Sequence, residues 1–424
     1  MAQLSDDCFA FAGQLMPVAD AERLIGERVM PVGGSERVSL REAAGRVLAQ
    51  DVIAPVSVPP FDNSAVDGYA VRAADLGGES ESRLTIVDRV AAGHPASHAI
   101  KAGEAIRIFT GAPMPAEADT VFMQEDCRVE GGAVIVPPGL KCGANRRLAG
   151  EDIRAGAVAL PAGRRLGVQH IALAAALGLT SLDVRRRARV ALFSTGDEIV
   201  EPGTALPRAT LFDSNRYLLA GLLARLGAEV TDLGILRDDP KDLAGAIAAA
   251  AIDHDLVLTS GGVSTGEADH VRTAIESIGK IVFWRLAIKP GRPVAMGVIR
   301  GGNAGDGAAF VGLPGNPVAA FVTFVRVVRP LLLRLAGALS EPVIALPVRA
   351  AFSYKKRNGR REYVRVTLRV APGGAIEAVK FEQDGAGVLT SLTETDGLAE
   401  LGEDVTKVEP GTTVGFLSYA SLVG

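Results

Sequence analysis

The sequence predicts a multidomain α/β and β protein built around a central three-layer α/β domain. Three observations predict it. Between Arg185 and Gly337, short apolar runs alternate with loops and helix-period stretches, the pattern of a parallel sheet covered by helices on both faces. From residue 55 to 148 the texture is short β-like runs between Gly and Pro clusters, and after Pro342 it is β-rich again. At roughly 150 residues per domain, the 424-residue chain allows two to four domains, and four segments are read. They are an N-terminal mixed helical domain (1–54 with 149–184), an inserted β domain (55–148), the α/β domain (185–338) and a C-terminal β domain (339–424).

Taken in order, the first 50 residues read as helical. Ser39 followed by Glu42 fits a capping box, and Leu40, Ala43, Ala44, Val47 and Leu48 recur at helical spacing until Asp51 and Pro55. LTIVDRV, AIRIF, TVFMQ and AVIVP follow as strands of the inserted domain. In the α/β segment RVALF, EVTDLGIL and DLVLTS read as strands. SNRYLLAGLLARLG, KDLAGAIAAAAI and EADHVRTAIESIG read as helices, the first stopped by Gly227. FWRLAIKPGRP reads as a strand entering a turn, and AAFVGLPGNP leads into a long apolar helix. Asn358-Gly359 signals a two-residue hairpin, and REYVRVTLRV alternates with Val364, Val366, Leu368 and Val370 on one face.

With 45 Lys plus Arg against 49 Asp plus Glu, the formal charge of −4 supplies no global field for nucleic acid, so no nucleic-acid partner is expected. The cysteines Cys8, Cys127 and Cys142 form neither a CxxC pair nor a zinc ribbon. The five histidines are scattered, without the spacing of a metal ligand set. Asp6 and Asp7 stand where a signal peptide would carry cations, and apolar runs such as Ile171 to Leu179 fall short of the roughly 20 residues that span a bilayer. A cytoplasmic protein with no membrane partner is the expectation.

The strands of the α/β segment run into polar loops: Ser194-Thr195-Gly196-Asp197-Glu198, Arg237-Asp238-Asp239-Pro240, and Thr259-Ser260-Gly261-Gly262-Val263-Ser264 continuing to Glu267 and Asp269. In open α/β sheets ligands bind beyond the carboxyl ends of the strands, so these loops should meet at one edge. The third is Gly-rich and opens a helix, so its N–H groups suit a phosphate. Each loop alone also reads as an ordinary turn or helix start; three acid-bearing loops at one edge favour a site. Arg285 and Lys289, placed in one strand, would point the same way over small Ala287 and suit an oxyanion, or else form a solvated edge. Leu313-Pro314-Gly315-Asn316-Pro317 is a strand-to-helix turn with Pro317 at the first helical position. FDNSAVDGYAV, with Asp67, the Thr110 turn and the stretch from Arg146 to Asp152 are equally polar.

FDNSAVDGYAV, RIFTGAPMP, GEDI, FSTGDE, LGILRDDP, TSGGVSTGEAD, FWRLAIKPGRP, GLPGNPVAA and GRREYVR occur in that order and together closely resemble the molybdopterin molybdenumtransferase family, the MoeA-like proteins that include the E domain of gephyrin. The resemblance covers nearly the whole chain and makes the α/β segment molybdopterin-binding-like. It implies a homodimer with the active site between the α/β domain of one subunit and domains of the other. The implied substrates are adenylylated molybdopterin and molybdate, and the reaction uses Mg²⁺, releases AMP and leaves molybdenum on the dithiolene. By the resemblance Asp67, Thr110 and Asp152 are active-site positions of the first two domains. Glu198, Asp238 and Asp269 are carboxylates some of which hold Mg²⁺. Gly261, Gly262 and Ser264 bind phosphate, while Lys289, Pro290 and Arg360 line the molybdate pocket beside Arg285. Ser194, Thr195, Gly196, Ser260, Pro314, Gly315, Asn316 and Pro317 complete the substrate-binding set. Ala319 and Ala386 stand where relatives often carry Ser, and Arg285 where some carry Lys.

Two other readings have their own signatures. A scaffold that keeps the fold without turnover would have lost the acids or cations, and these are present. Adenylylation of molybdopterin belongs to proteins resembling the α/β domain alone; such an adenylyltransferase is the expected pathway partner here.

Overall fold

The computed structural model describes residues 15–263, 270–301 and 307–423. The N-terminal region contains α1 (Val18–Arg28) and α2 (Val168–Ala176). Strand Ser35–Ser39 pairs antiparallel with Ser181–Arg185, and Val52–Ile53 with Val158–Leu160, so both ends of the inserted domain return to the same place. The inserted domain is a six-stranded sheet containing all four runs expected there, Ser82–Val90, Glu104–Ile108, Thr120–Met123 and Ala133–Val136.

The α/β unit comprises β1 (Arg189–Thr195), α3 (Asn215–Arg225), β2 (Glu229–Leu236), α4 (Pro240–Asp253), β3 (Leu256–Ser260), α5 (His270–Ile278), β4 (Gly279–Arg285), β5 (Pro293–Ile299) and β6 (Ala308–Leu313). Its closing helix runs as α6 (Pro317–Thr323), a π-turn over Phe324–Val328, and α7 (Arg329–Leu335). The strand order is β2-β1-β3-β6-β5-β4. β2, β1, β3 and β6 are parallel, whereas β5 and β4 run antiparallel, so the sheet is mixed where the sequence predicts a parallel one. The cause is local: among the described residues no helix separates β4, β5 and β6, and each turns back on the last. One face is buried by α1, α3, α6 and α7 through Ile25, Leu219, Leu223, Phe324 and Leu331, the other by α4 and α5 through Leu243, Ile247, Val271 and Ile275. Helices therefore cover both faces, as expected.

The C-terminal domain is a closed barrel of β7 (Leu346–Ala350), β8 (Arg361–Val370), β9 (Ile376–Lys380), β10 (Gly397–Leu401) and β11 (Thr413–Ser418), joined in the ring β8-β9-β7-β11-β10-β8. Closure leaves no sheet edge. Val364, Val366 and Leu368 share its core, but Tyr363 and Arg365 are buried as well, because the outer side of β8 packs on the α/β unit.

Three local expectations are corrected. Residues 39–50 form no helix: Ser39 ends a strand, and its hydroxyl donates to Glu42 (2.7 Å) across a turn in which Gly45 has φ +76°. Val47 and Leu48 then bridge Arg165 and Val184, so the apolar spacing records burial of a turn. Asn358-Gly359 does form a turn, with Gly359 at φ +80°, yet the strands beside it are not partners. Tyr354–Lys355 pairs instead with Lys407–Val408. Finally, β4 stops at Arg285, and the next pair, Ile288–Lys289, leaves that sheet to join β8 in parallel register, Lys289 opposite Glu362.

Candidate functional site

The carboxyl ends of β1, β3 and β6 meet in one layer of loops. Gly261 (φ +90°) and Gly262 (φ +67°) lie so close to Thr195 that a Cβ on either would collide, on Gly261 with the Thr195 carbonyl oxygen. Only glycine supplies both the backbone angles and the close approach. Gly261 N–H donates to the Leu313 carbonyl (3.0 Å), tying the loop after β3 to the end of β6. Gly196 is covered by the folded-back Glu198 carboxylate, 2.8 Å from where its Cβ would stand.

Asn215, at the start of α3, is the brace that sequence reasoning missed. Its Nδ2 donates to Ser260 Oγ (2.8 Å) and to the Gly315 carbonyl (2.7 Å), fixing the β3 and β6 loops together. A polar residue opening a Leu-rich helix was the available signal. Around this brace buried polar atoms lack partners: Ser194 Oγ, Thr195 Oγ1, Thr259 Oγ1, Asn215 Oδ1 and Asp238 Oδ1. Unsatisfied buried polar atoms are rare in folded proteins, and a ligand is one of the things that explains them. Burial pushes the Asp238 carboxyl above its ordinary pKa, and nearby Asp197 and Glu198 push it further, against the pull of His270 and Thr195. Asp197 and Glu198 bear on Asp238 electrostatically, and carboxylates suit a hard cation, but among the described residues no group of three or more Asp, Glu, His or Cys side chains is placed to hold a metal ion. Ser264 and Asp269 lie outside the described residues.

The same β6 loop borders a second chamber. Pro314 and Asn316 share its wall with Lys289, Pro290, Gly291, Arg360 and Arg365, enclosing about 300 Å³. Pro317 starts α6 behind Asn316 at the helix's first position. Lys289 Nζ donates to the Tyr354 hydroxyl (3.1 Å) and lies 3.4 Å from Glu362 Oε2. Burial pulls the Lys289 ammonium down, but Tyr354 and Glu362 outweigh it and leave its pKa above the ordinary lysine value. Burial and the hydrogen bond to Glu362 hold Tyr354 up, so it remains a phenol at neutral pH. Arg365 Nη2 donates to the carbonyls of Gln383 (3.1 Å) and Gly385 (3.0 Å), shaping the loop that brings Ala386 to the wall. Ala319 lines it too.

Lys289, Pro290, Arg360, Pro314 and Asn316 are thus brought together. Arg285 is not: the strand break at 286 separates it from Lys289, it does not line the chamber, and its carbonyl accepts from Met16 N–H (3.1 Å). Tyr354, Glu362 and Arg365 were missed. Glu362 was legible in principle, since Arg360, Glu362 and Val364 fall on one face of an alternating strand.

Asp67 and Thr110 meet within the inserted domain. Thr110 donates both its backbone N–H and its hydroxyl to Asp67 Oδ1, each at 2.8 Å, and these bonds hold the Asp67 carboxyl below its ordinary pKa. Asp152 is exposed, its N–H donating to the Val58 carbonyl (3.1 Å). No helix among the described residues is long and apolar enough to cross a membrane.

Three family models match successive stretches of the chain. Residues 16–178 match the MoeA N-terminal region (domain I and II), 191–334 a probable molybdopterin binding domain, and 347–419 the MoeA C-terminal region (domain IV). The chain is 37% identical over 393 residues to the molybdopterin molybdenumtransferase of Haemophilus influenzae, covering 92% of this chain and 95% of that protein. It is also 37% identical to the Nostoc molybdopterin molybdenumtransferase over 390 residues, 90% of this chain and 88% of the relative. The solved molybdopterin biosynthesis MoeA protein of Pyrococcus horikoshii OT3 superposes with a TM-score of 0.76 at 27% identity, covering 96% of this chain and 100% of that one.

Proposed function

The chain belongs to the molybdopterin molybdenumtransferase family, and from that premise we propose that it is the transferase that inserts molybdate into adenylylated molybdopterin with release of AMP. The observation that carries this reading is the shared β6 loop: one side of it borders Gly-rich loops with unsatisfied polar atoms, the other a chamber of about 300 Å³ lined by Lys289 and Arg360. A phosphoanhydride and an oxyanion can therefore be held side by side.

The backbone N–H of Gly262 and the hydroxyls of Ser194, Thr195 and Ser260 bind the phosphate end. Lys289 and Arg360 hold molybdate by charge-assisted hydrogen bonds, with Pro290 shaping the wall. Glu198 and Asp238 are the described carboxylates that would hold Mg²⁺, oxygen donors of the kind a hard cation takes. When bound, that ion supplies charge neutralisation at the phosphoanhydride oxygens. Asp67, Thr110 and Asp152 make their hydrogen bonds within their own segment, so we propose that they reach the site from the partner subunit of a homodimer. The AMP-bearing substrate implies an adenylyltransferase acting immediately before. The acidic composition and sparse, unpatterned cysteines support a cytoplasmic protein without nucleic-acid or membrane partners.

The test is AMP release from adenylylated molybdopterin with Mg²⁺, with and without molybdate, and with tungstate in parallel. Molybdate-dependent release is the expected result; tight binding without release under either oxyanion would point instead to a scaffold. Glu198→Ala should abolish that release with the oligomeric state unchanged. Full retained activity would remove Glu198 from the site.

A further inference from the structure

Lys289 and Arg360 hang from different elements, yet both reach the same buried carboxylate. Glu362 is 1% exposed and does not itself line the chamber; it stands behind the wall that Lys289, Tyr354 and Arg360 present. Its Oε2 accepts from the Tyr354 hydroxyl (2.7 Å) and faces Lys289 Nζ at 3.4 Å, while its Oε1 accepts from Arg360 Nε (2.7 Å). The parallel register that sets Lys289 opposite Glu362 makes this arrangement a product of the backbone. Lys289 is additionally stacked on Tyr354, its Nζ 5.6 Å from the ring centroid.

A lysine and an arginine on surface turns ordinarily sample many rotamers, and fixing either has an entropic cost of up to about 2 kcal/mol. Here one carboxylate fixes both. Arg360 gives up only its Nε–H to it, which leaves the outer guanidinium nitrogens for a ligand. Lys289 retains further N–H groups in the same way. We infer that Glu362 is a positioning residue, whose buried carboxylate sets the two cations of the chamber at a fixed spacing for a tetrahedral oxyanion. The inference rests on the proposed molybdate site.

Positioning and simple charge balance make opposite predictions. Glu362→Gln removes a negative charge from behind a cationic chamber; if charge alone mattered, a dianion would bind more tightly. Glu362→Asp keeps the charge and withdraws the carboxylate by one methylene; if charge alone mattered, binding would not change. Positioning predicts that both weaken molybdate binding, because misplacement by about 1 Å can cost on the order of a hundredfold.

The experiment is calorimetric titration of the full-length protein with sodium molybdate, alongside the KM for molybdate in AMP release. Expected is a loss of affinity of about tenfold or more in both Glu362 variants, appearing in KM more than in kcat. Tighter or unchanged binding by Glu362→Gln would overturn the inference. Lys289→Ala separates the two levels. If it leaves molybdate affinity unchanged, the oxyanion site itself has been misplaced; if it weakens binding while Glu362→Gln does not, only the positioning role falls. Should Glu362→Gln fail to fold, Tyr354→Phe deletes the hydroxyl bridging Lys289 and Glu362 and keeps the ring. A several-fold loss of affinity is expected there, and none would refute the role of the bridge.

Discussion

Two groups of residues on either side of the Leu313–Pro317 loop solve opposite problems. At the strand ends of the α/β sheet, buried hydroxyls and a carboxylate oxygen have no partner in the protein. In the chamber beside Lys289, the charges are already paired through Glu362 and Tyr354. The first group is incomplete until a ligand arrives; the second is organised before one does. A preorganised anion site suits a small substrate that brings little binding energy of its own, whereas a large nucleotide-bearing substrate can offset the cost of unsatisfied loops.

The largest effect that would break this contrast is at the chamber. Lys289→Ala should lower molybdate-dependent turnover by about a hundredfold or more, the range seen when one preorganised donor to a developing or fixed anion is lost. Its thermal midpoint should change little, since Tyr354 and Arg360 still hold Glu362. A large drop in stability with modest loss of rate would make the chamber a structural salt bridge.

Next is the unsatisfied group. Because the Asp238 carboxyl is raised by burial and by Asp197 and Glu198, its proton is held more tightly in the folded chain than in the unfolded one. Stability therefore rises as pH falls through the folded pKa toward the unfolded value, and at neutral pH the ionised group is a burden. Asp238→Asn should raise the thermal midpoint of the metal-free protein at pH 7 and flatten its acid-side pH dependence. Magnesium should stabilise the wild type by roughly 3 kcal/mol at a hundredfold excess over its dissociation constant, and the variant by much less. Equal stabilisation of both proteins would exclude Asp238 as a ligand.

These contrasts explain what the sequence could and could not disclose. Gly261, Gly262 and the strand-loop-helix alternation are local, so the phosphate-facing group was legible from spacing. Strand alternation offered Lys289, and the family resemblance added Arg360. Glu362 and Tyr354 escaped because their role depends on the parallel pairing of Ile288–Lys289 with β8, a contact between segments more than seventy residues apart. The same pairing defeated the expectation for Arg285, which assumed one continuous strand through residue 289. The supposed helix at 39–50 failed for a related reason: Val47 and Leu48 are apolar because they face distant strands.

Asp67 sharpens the comparison from the inserted domain. It is an acid already satisfied, held low by the backbone and side-chain bonds from Thr110. A depressed folded pKa means its contribution is present above the unfolded value of 3.8 and lost as pH falls through the folded one. Urea denaturation of Asp67→Asn should show lower stability than wild type at pH 7, with the gap closing as pH falls below 3.8 and through the folded pKa. A constant gap across that range would mean that the carboxylate charge contributes nothing to the Thr110 contact.

The smallest expected effect tests how complete the chamber is. Ala386 and Ala319 lie on the wall of a cavity that the cations Lys289, Arg360 and Arg365 also line, together with Asp384. Ala386→Ser would add one neutral hydroxyl on a loop whose shape is held independently by Arg365 and by the bond from Val318 N–H to the Ala386 carbonyl (3.0 Å). A net neutral hydrogen bond of about 0.5–1.5 kcal/mol corresponds to a gain of roughly twofold to tenfold in molybdate affinity, measured by the same calorimetric titration. Tungstate should gain equally, because the hydroxyl meets an oxo group common to both ions. A gain for only one ion would mean that Ala386 sets the choice between them. No gain for either would show that the cations positioned by Glu362 already satisfy the oxyanion, leaving that wall to exclude water.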